Sequence, residues 1–316
     1  MDELAEEFHR LCQKEILNHY RPFDKEVSFH QVEQDLASLE KLGYLSKERS
    51  EWALWGSEDP NPEVFSWYRI IFENLGLVSV DLAFRAMQTS LQTWLKNRTG
   101  KQEVFLLFAS EEPLILLPQD VSLNHVYLAD RKNKQWKKFK VVKQVPLEKR
   151  LGLPTQSLSR LTLQQEIETM SLNPLFSEIL FREVFSLLAI ESGLIKLAYD
   201  TAYTYAQDRY QGGKLIIDHD IIQEMLQKIE KAILHYDSII PYLSTKRDLA
   251  SLIHVRTTCS NFALEASWSA MQIHGGYGYM KDYGMEQIFR HIRMLRQMPA
   301  SPLFLIEFLK KGKQVV

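Results

Sequence analysis

The stretch that decides the fold lies near the C-terminus, at residues 272–293, and reads QIHGGYGYMKDYGMEQIFRHIR. Two adjacent glycines, Gly275 and Gly276, end a helical pattern, because glycine accepts the positive φ of a helix C-cap and lets another backbone or a ligand approach. After the turn, apolar residues resume a helical spacing, which predicts that a second helix begins near Asp282. A glycine pair alone would indicate only a capped helix.

The C-terminal part of the chain contains four long amphipathic stretches. Their apolar residues recur at helical spacing along residues 180–205, 221–236, 249–271 and 282–297. The second helix is expected to end at Pro241, which cannot donate a backbone hydrogen bond. Four such helices with short connections predict an antiparallel bundle.

The N-terminal part is also helical, and a short stretch of strands follows it. Helices are predicted at residues 2–20, 28–42, 63–75 and 80–95, with residues 74–76 joining the last two. After Gly100, short apolar runs at residues 104–108, 114–117, 126–129 and 138–142 predict strands. We therefore expect a mainly α protein with a small β domain: an N-terminal helical domain at 1–100, a β domain at 101–172 and a four-helix bundle at 173–316.

Composition excludes several classes of function. A net charge of −2 argues against a protein that binds mainly nucleic acid or an anionic membrane surface. The two cysteines, Cys12 and Cys259, show no metal-ligand spacing, so we expect no metal site and a reducing compartment. The N-terminus is an acidic amphipathic helix, and no run reaches the ~18 apolar residues of a membrane span. These features predict a cytoplasmic protein.

Residues 272–293 closely resemble the late-chain signature of the acyl-CoA dehydrogenases, which reads roughly Q-x-x-GG-x-GY-x-x-[DE]-(Y/P)-x-x-E-x-x-(Y/F)-R. Segments elsewhere resemble the same family, namely EILNHYRPFDKEVSFHQVEQDLASLEKLGYLS, FENLGLVSVDLAF and LEKRLGLPTQSLSRLTLQQ. The resemblance implies the family's architecture, with an N-terminal helical domain, a reduced β domain and a C-terminal four-helix bundle. It also implies FAD as cofactor, an acyl-CoA or acyl-carrier substrate, and a homo- or hetero-oligomer.

In that family, one subunit donates residues to the FAD of its neighbour. Arg209, in YAQDRYQGGKLI, matches the arginine that reaches the FAD pyrophosphate, and the loop of Gln272, Gly275 and Gly276 matches the part that contacts the cofactor. A helix-end arginine and a capped helix are the alternative, purely structural interpretations. The family's phenylalanine in the arginine motif is Gly212 here, so the cofactor-facing surface is only partly kept. His274 is predicted to be a packing residue.

Other family segments are missing from this chain. Neither T-E-P-x-x-G-S-D nor W-I-(T/S)-N, which hold the flavin ring and phosphates in the family, is found in the sequence. The register set by Arg290 puts Pro299 where most members carry the catalytic glutamate. Ser301 keeps a hydroxyl at the following threonine position, so the resemblance makes it a candidate cofactor-binding residue. A minority of the family carries the base on the helix that leads to the arginine motif, and counting back from Arg209 puts that position on Glu183. A glutamate near a helix start also complements the helix dipole.

Three functions therefore remain open at the level of sequence. We favour a non-catalytic subunit, a pseudoenzyme of lipid metabolism, that completes the FAD site of a catalytic acyl-CoA dehydrogenase partner. The first alternative is a self-sufficient FAD-dependent acyl-CoA dehydrogenase that performs α,β-dehydrogenation with Glu183 as base. The second alternative is a flavin-free relative with a structural or binding role.

Overall fold

The computed structural model describes residues 2–21, 27–45, 62–106, 113–118, 121–130, 133–147, 152–171 and 175–298. Most of these residues are helical. The α-helices of the described part are α1 Asp2–Leu11, α2 Phe29–Lys41, α3 Pro62–Val78, α4 Val80–Thr99, α5 Leu175–Asp208, α6 Asp220–Thr245, α7 Leu249–His274 and α8 Met285–Gln297. A π-helical turn at Cys12–Ile16 and a 3-10 turn at Leu17–His19 extend α1.

Strands form one five-stranded sheet between α4 and α5, and a small hairpin follows α5. The sheet strands are β1 Val104–Leu106, β2 Leu114–Pro118, β3 His125–Asp130, β4 Gln135–Pro146 and β5 Gln156–Ser171. Their order is β1-β3-β4-β5-β2, with β1 and β3 parallel and the other pairs antiparallel. The hairpin pairs β6 Tyr210–Gln211 with β7 Lys214–Leu215. A mainly α protein with a small sheet, as predicted, is what the structure shows.

The chain divides into two compact units. Unit 1 comprises Met1–Glu26, Asn61–Phe84 and Val184–Val316, and unit 2 comprises Val27–Pro60 and Arg85–Glu183. Two of the four boundaries between the units fall inside helices, one in α4 and one in α5. The division into three domains at residues 100 and 172 stays a prediction.

The sheet of unit 2 has its own small core. Its buried residues lie on strands β2, β3 and β5 and are Ile115, Leu117, Val126, Leu128 and Leu161. At the edge strand β2, the side-chain amide of Gln88 donates to the carbonyl oxygen of Leu116 at 2.9 Å. A helix side chain therefore supplies a hydrogen bond where an edge strand leaves backbone groups unpaired.

A buried ion pair links all four C-terminal helices of unit 1. The Arg256 guanidinium on α7 lies 2.5 Å from the Glu191 carboxylate on α5, and both side chains are fully buried. The Tyr236 hydroxyl on α6 donates to the same carboxylate at 2.9 Å, and Arg256 donates to the Leu295 carbonyl on α8 at 2.7 Å. These two hydrogen bonds offset part of the cost of burying the pair, whereas Glu191 Oε1 and the Nε and Nη1 atoms of Arg256 find no hydrogen-bond partner among the described residues.

The helices α3 and α5 approach each other at two glycines. A Cβ at Gly193 would lie 2.0 Å from the Glu73 carbonyl oxygen, and a Cβ at Gly76 would lie 2.5 Å from the Ile190 carbonyl oxygen. Any larger residue would push the two backbones apart. This packing explains why α3 runs through Gly76 to Val78, so the prediction that residues 74–76 join two helices was wrong.

The prediction that Pro241 ends a helix was also wrong, because α6 continues to Thr245. Proline removes one backbone hydrogen bond from a helix interior. Apolar residues on both sides of it, Tyr236, Ile240 and Leu243, are nevertheless buried against the rest of the bundle. Keeping these side chains buried offsets the lost hydrogen bond. Helix α8 begins at Met285, three residues after the predicted start, because a 3-10 turn occupies Lys281–Tyr283.

The buried ion pair generates a stability prediction. We expect Arg256→Met alone to lower the free energy of unfolding by about 3–5 kcal/mol, because it leaves the Glu191 carboxylate buried without its counter-charge. The double variant Glu191→Leu/Arg256→Met should be more stable than the single variant, since it removes both charges. Urea unfolding of the wild type and the two variants measures this. A double variant no more stable than Arg256→Met would contradict the interpretation.

Candidate functional site

A cleft of about 550 Å³ lies in unit 1 where several helix ends meet. Its walls come from the end of α5, the β6–β7 hairpin, the start of α6 and the end of α7. Its volume falls within the ~300–1,000 Å³ typical of ligand sites. Four residues that the sequence singled out line it together: Arg209, Gln272, Gly275 and Gly276. The structure thus gathers into one cleft residues that lie up to 67 positions apart in the chain.

Arg209 has a fixed backbone and an exposed side chain. Its N–H donates to the Tyr205 carbonyl at 3.0 Å at the end of α5, and its carbonyl accepts from the Ile216 N–H at 2.8 Å. The guanidinium carbon lies 5.6 Å from the centre of the Tyr277 ring. Within the part of the chain that the structure describes, no carboxylate pairs with Arg209. Its charge and donors are therefore available to an anion.

Two glycines of the loop after α7, residues 275–278, are required for different physical reasons. Gly275 is the C-cap of α7 with φ 58°, so its backbone conformation favours glycine. Packing excludes any residue larger than glycine at position 278, because a Cβ on Gly278 would lie 2.6 Å from the Met271 carbonyl oxygen. Gly276 has neither constraint, because its φ is ordinary and a Cβ there would meet nothing within 4 Å. Helix capping accounts for Gly275 but leaves the bare surface at Gly276 unexplained.

The start of α6 adds a positive helix end to the cleft. The carbonyl of His219 accepts from the N–H groups of Ile222 and Gln223, and the His219 side chain makes no capping bond. Ile221 and Ile222 line the cleft directly. The first N–H groups of a long helix carry partial positive charge and favour an anion. This helix end and Arg209 therefore contribute charge of the same sign.

The β6–β7 hairpin explains the missing phenylalanine at Gly212. Both residues of its turn have positive φ, 66° at Gly212 and 85° at Gly213, as a two-residue turn between antiparallel strands requires. A Cβ at Gly212 would lie only 3.3 Å from the His219 ring, whose Nε2–H donates to the Gln211 carbonyl at 3.0 Å. Sequence reasoning missed this hairpin, although two glycines between short polar-flanked strands are a recognised hairpin signal.

Aromatic rings pack beneath the cleft. The His274 ring stacks on Tyr205 at 4.4 Å between centres, and its Nδ1–H donates to the Ala270 carbonyl at 2.9 Å. Burial lowers the pKa of His274, which favours the neutral form of the ring. Tyr283 packs edge-on against Tyr205 at 5.7 Å. These contacts agree with the packing role predicted for His274, whereas Tyr205, Tyr277 and Tyr283 were not singled out by sequence reasoning.

Glu183 lies on α5 within unit 2 and does not line the cleft. Its side chain is half-buried, and burial raises the pKa of its carboxyl to about 8. No hydrogen bond or ion pair to Glu183 is formed by a described residue, so desolvation alone causes the shift. Two further predicted positions, Pro299 and Ser301, lie outside the described residues.

Neither a metal cluster nor a membrane-spanning helix is found among the residues that the structure describes. No group of three or more His, Cys, Asp or Glu side chains in that part of the chain could hold a metal ion. None of its helices is both long and apolar enough to cross a bilayer.

The C-terminal helices are similar in sequence to known proteins. A family model for the acyl-CoA dehydrogenase C-terminal domain matches residues 176–298. The caffeyl-CoA reductase-Etf complex subunit CarC of Acetobacterium woodii is 34% identical over 107 residues, which cover 32% of this chain and 28% of that protein. The probable acyl-CoA dehydrogenase YngJ of Bacillus subtilis is 31% identical over 121 residues, which cover 35% and 30%. These matches thus span only about three-tenths of the curated relatives' length.

Solved structures extend the likeness to the whole fold. The glutaryl-coenzyme A dehydrogenase glutaryl-CoA complex superposes with a TM-score of 0.72 at 15% identity, covering 100% of this chain and 95% of that one. Butyryl-CoA dehydrogenase from Megasphaera elsdenii gives a TM-score of 0.72 at 14% identity, covering 100% and 98%. The fold is therefore that of the CoA-ester dehydrogenases.

Residues 176–298 thus resemble the C-terminal domain of the acyl-CoA dehydrogenases, and the fold resembles that of solved members of that family. Members of this family are FAD-dependent flavoproteins. The residues of the cleft fit the phosphate-bearing part of such a cofactor, since they combine an unpaired guanidinium, a helix N-terminus and a glycine wall without side chains.

The raised pKa of Glu183 predicts a pH-dependent contribution to stability. The folded state keeps a proton on this carboxyl up to a pH of about 8, whereas an unperturbed glutamate releases it near 4.5. The stabilising contribution of Glu183 to the free energy of unfolding is therefore fully present below a pH of about 4.5. It is lost as the pH rises from about 4.5 to about 8, and it changes no further above that. Glu183→Gln, which cannot ionise, should lack this dependence. Urea unfolding of both proteins across the window, with the difference plotted against pH, measures it; a pH-independent difference would contradict the assignment.

Proposed function

We propose that this chain binds the adenosine diphosphate part of FAD in the Arg209 cleft and acts as a non-catalytic subunit that completes the FAD site of a catalytic acyl-CoA dehydrogenase. The observation that carries the proposal is the convergence of Arg209, Gln272 and the bare Gly276 surface on one cleft. A capped helix would account for Gly275 alone. A ligand that lies against the loop accounts for Gly276 as well.

The charges of the cleft suit a pyrophosphate. An arginine fork can donate two parallel hydrogen bonds to phosphate oxygens, and it stays protonated at every physiological pH. The N-terminus of α6 supplies backbone N–H groups with partial positive charge. Gln272 is exposed at the rim and carries both a donor and an acceptor for a polar ligand group. When bound, FAD would supply the flavin that accepts a hydride from the β carbon of an acyl-CoA.

The lack of a complete site of its own argues for a non-catalytic role. The two segments that hold the flavin ring in the family are not found in the sequence, and Pro299 cannot act as a base. Arg209 and the Gln272 loop, which would be donated to a neighbour's FAD, are present although the motif's phenylalanine is Gly212, whereas the segments that a subunit uses on its own FAD are not found. Unselected decay would be expected to erode both sets alike. The partner would then provide the catalytic glutamate.

A hetero-oligomeric assembly has a parallel among the relatives. The relative from Acetobacterium woodii is named as a subunit of a reductase-Etf complex. For this chain we propose assembly with an acyl-CoA dehydrogenase paralogue, with one FAD for each pair of unlike subunits. The substrate would be an acyl-CoA or an acyl-carrier thioester bound mainly by the partner.

Glu183 supports a second candidate, a self-sufficient acyl-CoA dehydrogenase. A base abstracts the α proton most effectively when its pKa lies near the working pH, and burial raises the pKa of Glu183 to about 8. Under this candidate, Glu183→Gln should abolish reduction of bound flavin by an acyl-CoA while leaving FAD content unchanged. Under the favoured proposal, the same substitution leaves the reduction rate of the complex unchanged. Stopped-flow reduction therefore separates the two.

The favoured proposal predicts the FAD content of the protein alone and with its partner. Purified alone, the chain should show little absorbance in the flavin band. Co-expressed with a neighbouring dehydrogenase, it should co-purify with one FAD per pair of subunits. Arg209→Ala should weaken FAD binding in that complex about tenfold, because a charge-assisted hydrogen bond contributes about 1.5–3 kcal/mol and each 1.4 kcal/mol is a factor of ten.

A matched control is available on α8. Arg293 is also exposed, and its guanidinium lies 5.6 Å from the Phe289 ring, outside the cleft. Arg293→Ala removes an arginine of the same geometry and should leave FAD retention unchanged. A chain that is bright yellow alone, with one FAD each, would overturn the shared-site proposal in favour of the second candidate. Co-purification with no dehydrogenase, or FAD retention that is insensitive to Arg209→Ala, would also contradict it.

A further inference from the structure

We infer that Tyr277 is a positioning residue, whose ring holds the Arg209 guanidinium in place while leaving all of its N–H donors free for the ligand. The inference deepens the proposed function and rests on it. The observation behind it is that the Arg209 guanidinium lies 5.6 Å from the centre of the Tyr277 ring, at the surface of the cleft.

Arg209 needs such a contact because its backbone alone does not orient its side chain. Hydrogen bonds to Tyr205 and Ile216 fix the position of its Cα. The exposed side chain beyond it has several rotatable bonds, and ordering a free arginine on binding costs affinity. A side chain already held in place pays less of that cost.

An aromatic ring holds an arginine side chain in a different way than a carboxylate does. On α8, Arg290 donates from Nε to Glu286 at 2.6 Å and from Nη2 to the other carboxylate oxygen at 2.9 Å. That arrangement occupies two donors and neutralises the charge. A cation–π contact is made through the face of the guanidinium plane or its edge and uses no lone-pair acceptor. Arg209 therefore keeps both its charge and its donors.

Tyr277 is itself held, although its side chain is 40% exposed. Its ring centre lies 5.3 Å from that of Tyr283 and 6.5 Å from that of Tyr205. Tyr205 is in turn stacked on the buried His274. The glycine loop that carries Tyr277 also forms the cleft wall, so loop, ring and guanidinium are connected through one set of contacts.

The test is a double-mutant cycle on FAD affinity in the co-purified complex. Tyr277→Leu should weaken FAD about threefold, as expected of an exposed cation–π contact of about 0.5–1 kcal/mol. Tyr277→Phe keeps the ring and should restore wild-type affinity. In the Arg209→Ala background, Tyr277→Leu should have no further effect. Phe289→Leu, which removes the matching ring under Arg293, is the control and should change nothing.

A second readout needs no ligand. In the chain purified alone with ¹⁵N-labelled arginine, the Nε–Hε resonance of Arg209, assigned by its loss in Arg209→Ala, should carry a ring-current shift. That shift should persist in Tyr277→Phe and vanish in Tyr277→Leu. Absence of any shift difference between wild type and Tyr277→Leu would overturn the contact itself.

The outcomes separate this inference from the proposed function. If Tyr277→Leu weakens FAD binding equally in the wild-type and the Arg209→Ala backgrounds, the ring contacts the ligand directly, by stacking. That result would overturn the positioning role. Equal affinity of Tyr277→Leu and wild type would overturn it too. A wild-type complex without FAD would instead refute the proposed function, and the positioning role with it, whatever the resonance of Arg209 shows.

Discussion

The buried ion pair between Glu191 and Arg256 is the interaction on which the C-terminal helices depend. Through Tyr236 and the Leu295 carbonyl it joins α5, α6, α7 and α8 at one point. Burying two charges is costly, and removing one partner would leave the other charge buried without its counter-charge. Each of the four helices therefore contributes a group to a contact that does not tolerate the loss of one charged partner.

The candidate cleft follows from that arrangement. Helix α5 runs from Glu191 to its end beside Arg209, and α7 runs from Arg256 to the glycine loop. Because helices are stiff over these lengths, fixing the two helices at the ion pair also sets the spacing of their ends. A functional residue on a helix end is positioned more accurately than one on a long loop. The shape of the cleft therefore depends on the packing of α5 and α7 more than on the loops around it.

Sequence alone predicted much of the fold and part of the candidate site. Helical periodicity located the long helices, and the motifs around Arg209 and Gln272 indicated two segments that the structure brings together. Periodicity could not show that α6 passes through Pro241, because that depends on burial of Ile240 and Leu243 by other helices. It could not show the role of Gly76 either, since the neighbouring α5 backbone is remote in sequence. Local patterns do not contain such tertiary constraints.

The site residues differ in the same way. The family motif pointed to Arg209, but the contact with Tyr277 arises only once α5 and the glycine loop meet. The pKa of Glu183, likewise, is raised by burial, which no spacing of residues in the sequence records. The sequence thus predicted which chemical groups the site contains. Their contacts and their burial were seen only in the structure.

The central claim is that the Arg209 cleft provides half of an FAD site. The most direct measurement is an experimentally determined structure of the FAD-loaded complex with the co-purifying dehydrogenase. We expect the FAD pyrophosphate within hydrogen-bond distance of the Arg209 guanidinium and the adenosine against the loop at Gly275 and Gly276, with the flavin ring held by the partner. An FAD whose pyrophosphate is bound wholly by the partner, away from Arg209, would contradict it.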